Sequence, residues 1–190
     1  MEALQVLQTV VSTLEKLGVP CMLVGSFASA FHGSPRLTQD ADLMVQLNPN
    51  QVDGFIQAFS REFYVDRGQI EQAITNRTSF NIIHLESSFK VDFFAWRRGG
   101  YLEEAFSRRV LEQIDLRTDF AAYVQTAEDA LLSKLHRYRQ GGEVSENQWR
   151  DVIGILKIQA GRLDVGYLQK WAEELGVSDL LLRAGQEVAG

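Results

Sequence analysis

Three aspartates carry the chemistry to be explained. Asp40 and Asp42 form a D-x-D pair at the head of the run DADLMVQL, and Asp92 lies inside KVDFFAW. In a strand, residues two apart face the same side, so Asp40 and Asp42 share one side while Ala41, Leu43, Val45 and Leu47 share the other. By the same period Lys90, Asp92, Phe94 and Trp96 share a face. Three carboxylates converging on one sheet face repel one another unless cations are present, and their hard oxygens suit Mg²⁺ or Mn²⁺. Such ions polarise a phosphoryl group, activate an attacking oxygen and stabilise a leaving one. This is the chemistry of phosphoryl or nucleotidyl transfer. Upstream, Gly25 and Ser26 stand between the apolar run Cys21 to Val24 and FASAFHG, in the pattern strand, tight turn, short helix. A small residue there lets a phosphate approach the backbone, and the N–H groups at the helix start bind anions. Arg36 adds a fixed positive charge.

Each of these residues has a plainer reading. Asp40 and Asp42 would serve as exposed carboxylates on an edge strand. In an otherwise apolar strand Asp92 needs compensation, and a structural pair with Lys90 or an arginine supplies it. Gly25-Ser26 would serve as a helix N-cap, a role that uses the same geometry as phosphate binding. His32, His84 and His136 lack metal-ligand spacing, and Cys21 reads as a small buried hydrophobe. The G-x-S-x-G elbow, the P-loop and the G-x-G-x-x-G fingerprint are missing around Ser26, which excludes serine hydrolase, P-loop and Rossmann readings.

The elements that must hold these residues follow from periodicity. Leu4, Leu7, Val10, Val11, Leu14 and Leu17 recur at helical spacing over residues 2 to 17, with Gly18 and Pro20 as the stop. Val52, Phe55, Ile56 and Phe59 suit a second helix. Residues 80 to 96 read as a hairpin around Glu86-Ser87-Ser88. After Gly99-Gly100 strand signals become sparse, and helices are expected over Ala127 to Arg139, Asn147 to Gln159 and Tyr167 to Leu175. The expected architecture is α/β, a mixed sheet flanked by helices with a C-terminal helical portion, divided into a core at 1–98 and a mainly helical part at 99–190.

The Gly-Ser turn, the D-x-D pair and the later Asp together resemble the nucleotidyltransferase superfamily, the DNA polymerase beta-like fold. The run R-x-T-x-D-x-D from Arg36 to Asp42 is most similar to the abortive-infection toxin-type branch and its bacterial relatives. The likeness is close over residues 21 to 47 and looser over the rest. It implies that Gly25 and Ser26 hold a nucleoside triphosphate, that Asp40 and Asp42 bind the metals, and that Asp92 completes the metal site or activates the acceptor hydroxyl. Relatives in that branch carry a later helical Lys and a basic-Asp pair, matched here by Lys134 and by Arg150-Asp151, and the resemblance places Lys134 and Asp151, with Arg36, among the nucleotide-binding residues. Where such relatives often have another Asp one turn on, this chain has Gly154. The resemblance implies a metal-dependent transfer of a nucleoside monophosphate from an NTP to an acceptor hydroxyl or phosphate, on an RNA end, a protein or a small molecule, with release of pyrophosphate, and an antitoxin-like partner. The alternative is a non-catalytic domain of the same fold that binds a nucleotide or a protein.

Composition bounds these readings. The 190 residues hold 19 Lys plus Arg against 25 Asp plus Glu, a formal charge of −6, which disfavours bulk attraction to nucleic acid or an anionic membrane. Eleven of the 19 basic residues fall between 97 and 162, so contact with an RNA end would be local. A single cysteine excludes an intramolecular disulfide. No basic n-region opens the chain and no apolar run approaches a membrane span, so a cytoplasmic, membrane-free protein is expected.

Overall fold

The computed structural model describes residues 3–34 and 40–190 of the chain. Contacts gather it into two compact units, Met1–Val24 with Thr38–Val124, and Gly25–Leu37 with Gln125–Gly190. The sheet and its covering helices form the first; the second is helical. The chain crosses between these units three times.

The first unit opens with α1 (Ala3–Lys16), which buries Val6, Leu7, Val10, Val11 and Leu14 along one stripe. Strand β1 (Cys21–Val24) pairs antiparallel with β2 (Asp40–Val45). A 3₁₀ turn (Pro49–Gln51) leads into α3 (Val52–Phe59), then β3 (Phe63–Tyr64), α4 (Arg67–Asn76), and the hairpin β4 (Ser79–His84) and β5 (Lys90–Ala95). After α5 (Gly100–Ser107) come β6 (Val110–Asp115) and β7 (Phe120–Val124). The seven strands run in the order β3-β4-β5-β2-β1-β7-β6, with β2–β5 and β1–β7 parallel and the other pairs antiparallel.

An aromatic cluster sets which way the site strands face. Phe80 stacks on Phe93 with ring centroids 5.0 Å apart, and Phe55 meets both edge-on at 5.7 and 5.6 Å. Apolar burial on this scale dominates strand orientation. With Phe93 committed to the core, the period of two turns Lys90 and Asp92 to the opposite face.

Three strands escape the sequence reading. VLEQID of β6 is half polar and largely exposed, an edge strand with little apolar signal, and its hairpin partner β7 follows a turn in which Asp119 takes φ 53°. The same lack of contrast hides β3, two residues long, and α4, which is capped by the Asp66 side chain accepting from the Gln69 N–H.

In the second unit α2 (Gly25–His32) packs on α6 (Ala127–Gln140) and α7 (Glu146–Ile158), with α8 (Val165–Glu174) and α9 (Ser178–Ala189) completing the helical layer. Thr126, Ser145 and Asp164 cap α6, α7 and α8, each side chain accepting a backbone N–H of the first turn. No helix among the described residues is long and apolar enough to cross a membrane.

Cys21 is buried in β1, and burial, helped by the Glu15 carboxylate, pushes its thiol up to about 12. At pH 8 its thiolate fraction is then roughly 10³ below that of a free thiol, since only the thiolate reacts. The native protein should therefore label with a chromogenic disulfide at least about 10³ more slowly than the urea-unfolded chain. Equal rates would mean that β1 is not buried in solution.

Candidate active site

Strand pairing brings the three aspartates together within the first unit. β2 and β5 lie side by side in parallel register, Asp42 opposite Asp92 and Asp40 opposite Lys90. Paired residues on neighbouring strands share a face, so all four side chains stand on the side opposite Phe93. β2 is interior to the sheet, between β5 and β1. Asp42 is accordingly buried, and Asp40 and Asp92 are half-buried. The edge-strand reading of Asp40 and Asp42 therefore fails: β2 has a partner on each side.

Like charges directly opposed across strands are unfavourable, and among the described residues Lys90 sets a cation beside them. The Lys90 Nζ lies 2.6 Å from the Asp92 Oδ2, the two side chains being 43% and 21% exposed. The hydrogen bond to Asp92, supported by the charges of Asp92, Asp40 and Asp42, holds the ammonium above the usual lysine range. All three carboxylates thus act on a single cation. Among the described residues no three His, Cys, Asp or Glu side chains are gathered closely enough to hold a metal ion as they stand. The donor chemistry nevertheless fits a hard divalent cation, because three carboxylates already stabilise one positive charge at this face. The sequence signal for Lys90 was its spacing: two residues before Asp92 on a strand. A further polar side chain, Asn81, stands opposite Asp92 on the β4 side and carried no signal of its own.

The remaining candidate residues lie in the second unit, except Arg36, which falls outside the described residues. Chain continuity carries β1 directly into α2, Val24 ending the strand and Gly25 opening the helix. Gly25 takes φ 63°, a left-handed conformation that costs an L-residue roughly 1–2 kcal/mol. This turn is why the helix starts at glycine. The first N–H groups of α2 carry the positive end of its dipole.

The second unit also holds a buried ion pair. Lys134 on α6 places its Nζ 2.8 Å from the Asp151 Oδ2 on α7, with side chains only 3% and 6% exposed. Ser29 of α2 joins them: its hydroxyl lies 2.9 Å from the Gly25 carbonyl, 3.1 Å from the Ser26 carbonyl and 3.4 Å from the Asp151 Oδ2, three acceptors for one proton. Lys134, Asp151 and Ser29 thereby tie α6, α7 and the first turn of α2 together. Ser29 was not singled out in the sequence, since a helical serine is ordinary until its neighbours are known.

Gly154 has a structural reason. A Cβ there would sit 3.1 Å from the Ser34 Oγ, and one on Gly33 would sit 2.9 Å from both the Ile155 N and the Ser29 carbonyl. The backbones of α2 and α7 touch, which leaves no room for a carboxylate at 154. The histidines take structural roles: the His32 Nε2 donates to the Gln125 carbonyl at 2.7 Å, and the His84 Nδ1 lies 2.8 Å from the Ser87 hydroxyl in the β4–β5 turn.

No family model matches this sequence, and no curated protein matches it in sequence. Solved structures do match in shape. An antigenic nucleotidyltransferase-like protein from Paracoccidioides brasiliensis aligns over 96% of this chain and 91% of its own, with 17% identity and a TM-score of 0.58. The antibiotic-resistance factor ANT(2'')-Ia aligns over 98% of this chain and 99% of its own, at 11% identity and TM-score 0.57. The lincosamide antibiotic adenylyltransferase LnuA, solved with lincomycin, aligns over 80% of this chain and 95% of its own, at 15% identity and TM-score 0.53. The mixed sheet, its parallel β2–β5 pair and the helical layer are therefore the nucleotidyltransferase fold, carried by a chain that matches the length of these structures almost end to end.

Proposed function

We propose that the protein transfers a nucleoside monophosphate from a nucleoside triphosphate to an acceptor hydroxyl, with release of pyrophosphate. One observation carries the reading: Asp42 opposite Asp92 on one sheet face, with Asp40 beside them, in the fold of nucleotidyltransferases. In the reaction the acceptor oxygen bonds to the α-phosphorus, the bond from that phosphorus to the pyrophosphate oxygen breaks, and the acceptor proton passes to a carboxylate. Asp40, Asp42 and Asp92 would hold Mg²⁺ or Mn²⁺. When bound, the metal neutralises phosphate charge and polarises the phosphoryl group under attack. Asp92, the least buried end of the opposed pair, either completes that ligand set or takes the acceptor proton. Gly25 and Ser26 present the α2 N-terminus to a phosphate, and Arg36 is assigned beside them from the sequence. Lys134 and Asp151 act one step back from the nucleotide, holding through Ser29 the turn that presents those amides.

LnuA, an adenylyltransferase of a lincosamide antibiotic, and ANT(2'')-Ia, seen in complex with adenylyl-2''-tobramycin, make a small-molecule hydroxyl the first acceptor to test, ahead of an RNA end or a protein. An antitoxin-like partner gains no support from these structures. Calorimetric titration with each of the four NTPs, with and without Mg²⁺, tests the reading beside an Asp40→Asn/Asp42→Asn variant. Metal-dependent binding that vanishes in the variant is the expected result. A folded protein that binds no NTP would favour the second reading, a non-catalytic domain of this fold that binds a protein partner.

A further inference from the structure

We infer that Lys90 is the resident counter-cation of the carboxylate face and competes with the divalent metal for Asp92. The inference rests on the metal-binding reading above. Its basis is geometric: the Lys90 ammonium is seated on the Asp92 Oδ2 at 2.6 Å, at the strand position that faces Asp40. An oxygen that already accepts from an ammonium is a weaker donor to a second cation, and the two positive charges repel, so the metal and the ammonium compete there. Release of the ammonium is easy, because Lys90 opens β5 and its side chain is 43% exposed, leaving the stem free to turn into solvent.

The competition has a direction. A bare ion must break the Lys90–Asp92 pair with no new partner for the ammonium. An ion arriving with a triphosphate brings anionic oxygens that the released ammonium can meet. Lys90 therefore weakens loading by the bare ion and couples metal entry to nucleotide entry.

The test is direct binding of Mn²⁺ alone, followed by the electron paramagnetic resonance signal of the free ion, in the wild-type chain and in Lys90→Met, Lys90→Arg and Asp42→Asn variants whose circular dichroism matches it. Lys90→Met should bind Mn²⁺ up to about fivefold more tightly, the size expected when a partly exposed ion pair no longer competes. Lys90→Arg should stay near wild type, and Asp42→Asn should lose the site. Wild-type binding with equal or weaker binding by Lys90→Met overturns the competition and leaves the metal site standing. Absence of Mn²⁺ binding in all four proteins, or binding unaffected by Asp42→Asn, overturns the metal reading itself.

Discussion

Lys134→Met is expected to lower the unfolding free energy by roughly 3 to 5 kcal/mol, the cost of leaving one member of a buried ion pair without its partner. Asp151 would be left with its side chain 6% exposed and no ammonium at 2.8 Å. Against a total of about 5 to 15 kcal/mol for a typical domain this is a large fraction, visible as a lower urea midpoint. The double variant Lys134→Met/Asp151→Leu should recover most of the loss, because replacing both charges by apolar groups removes the desolvation cost along with the attraction. A single variant as stable as the wild type would contradict the buried pair.

Asp42→Asn is expected to reduce nucleotidyl transfer by at least about 10³, since a neutral amide removes one of the hard donors on which electrostatic catalysis of phosphoryl transfer depends. The measurement is pyrophosphate release from NTP and Mg²⁺ over a panel of small-molecule, RNA and protein acceptors. The fold should persist, because asparagine matches aspartate in shape and β2 keeps its neighbours β1 and β5. Undiminished transfer by a folded Asp42→Asn protein would remove Asp42 from the chemistry. The relief of carboxylate repulsion in this variant is smaller than three bare aspartates would suggest, because Lys90 already offsets part of it.

Much of this protein could be read from local pattern. The D-x-D pair, the later Asp92 and the Gly25-Ser26 turn were legible because a period of two and a strand-turn-helix junction are short-range signals. The helices α1, α3, α6, α7 and α8 were legible for the same reason, each having an apolar stripe or a capping residue at its start. Strands β6 and β7 were not, since an exposed edge strand such as VLEQID has no apolar contrast to betray it. Nor was the division into units, because segments distant in sequence build each of them.

The sequence alone determined which residue types were available: three carboxylates, a glycine able to take a left-handed turn, and one lysine two positions before Asp92. Only the tertiary structure decided who faces whom. The parallel register of β2 and β5 set Asp42 against Asp92 and seated Lys90 among the carboxylates. The packing of α2, α6 and α7 buried Lys134 against Asp151 and filled the space beside Gly154. Register and helix contact are long-range choices, made by the burial of groups such as Phe80 and Phe93 rather than by the spacing of the residues that act.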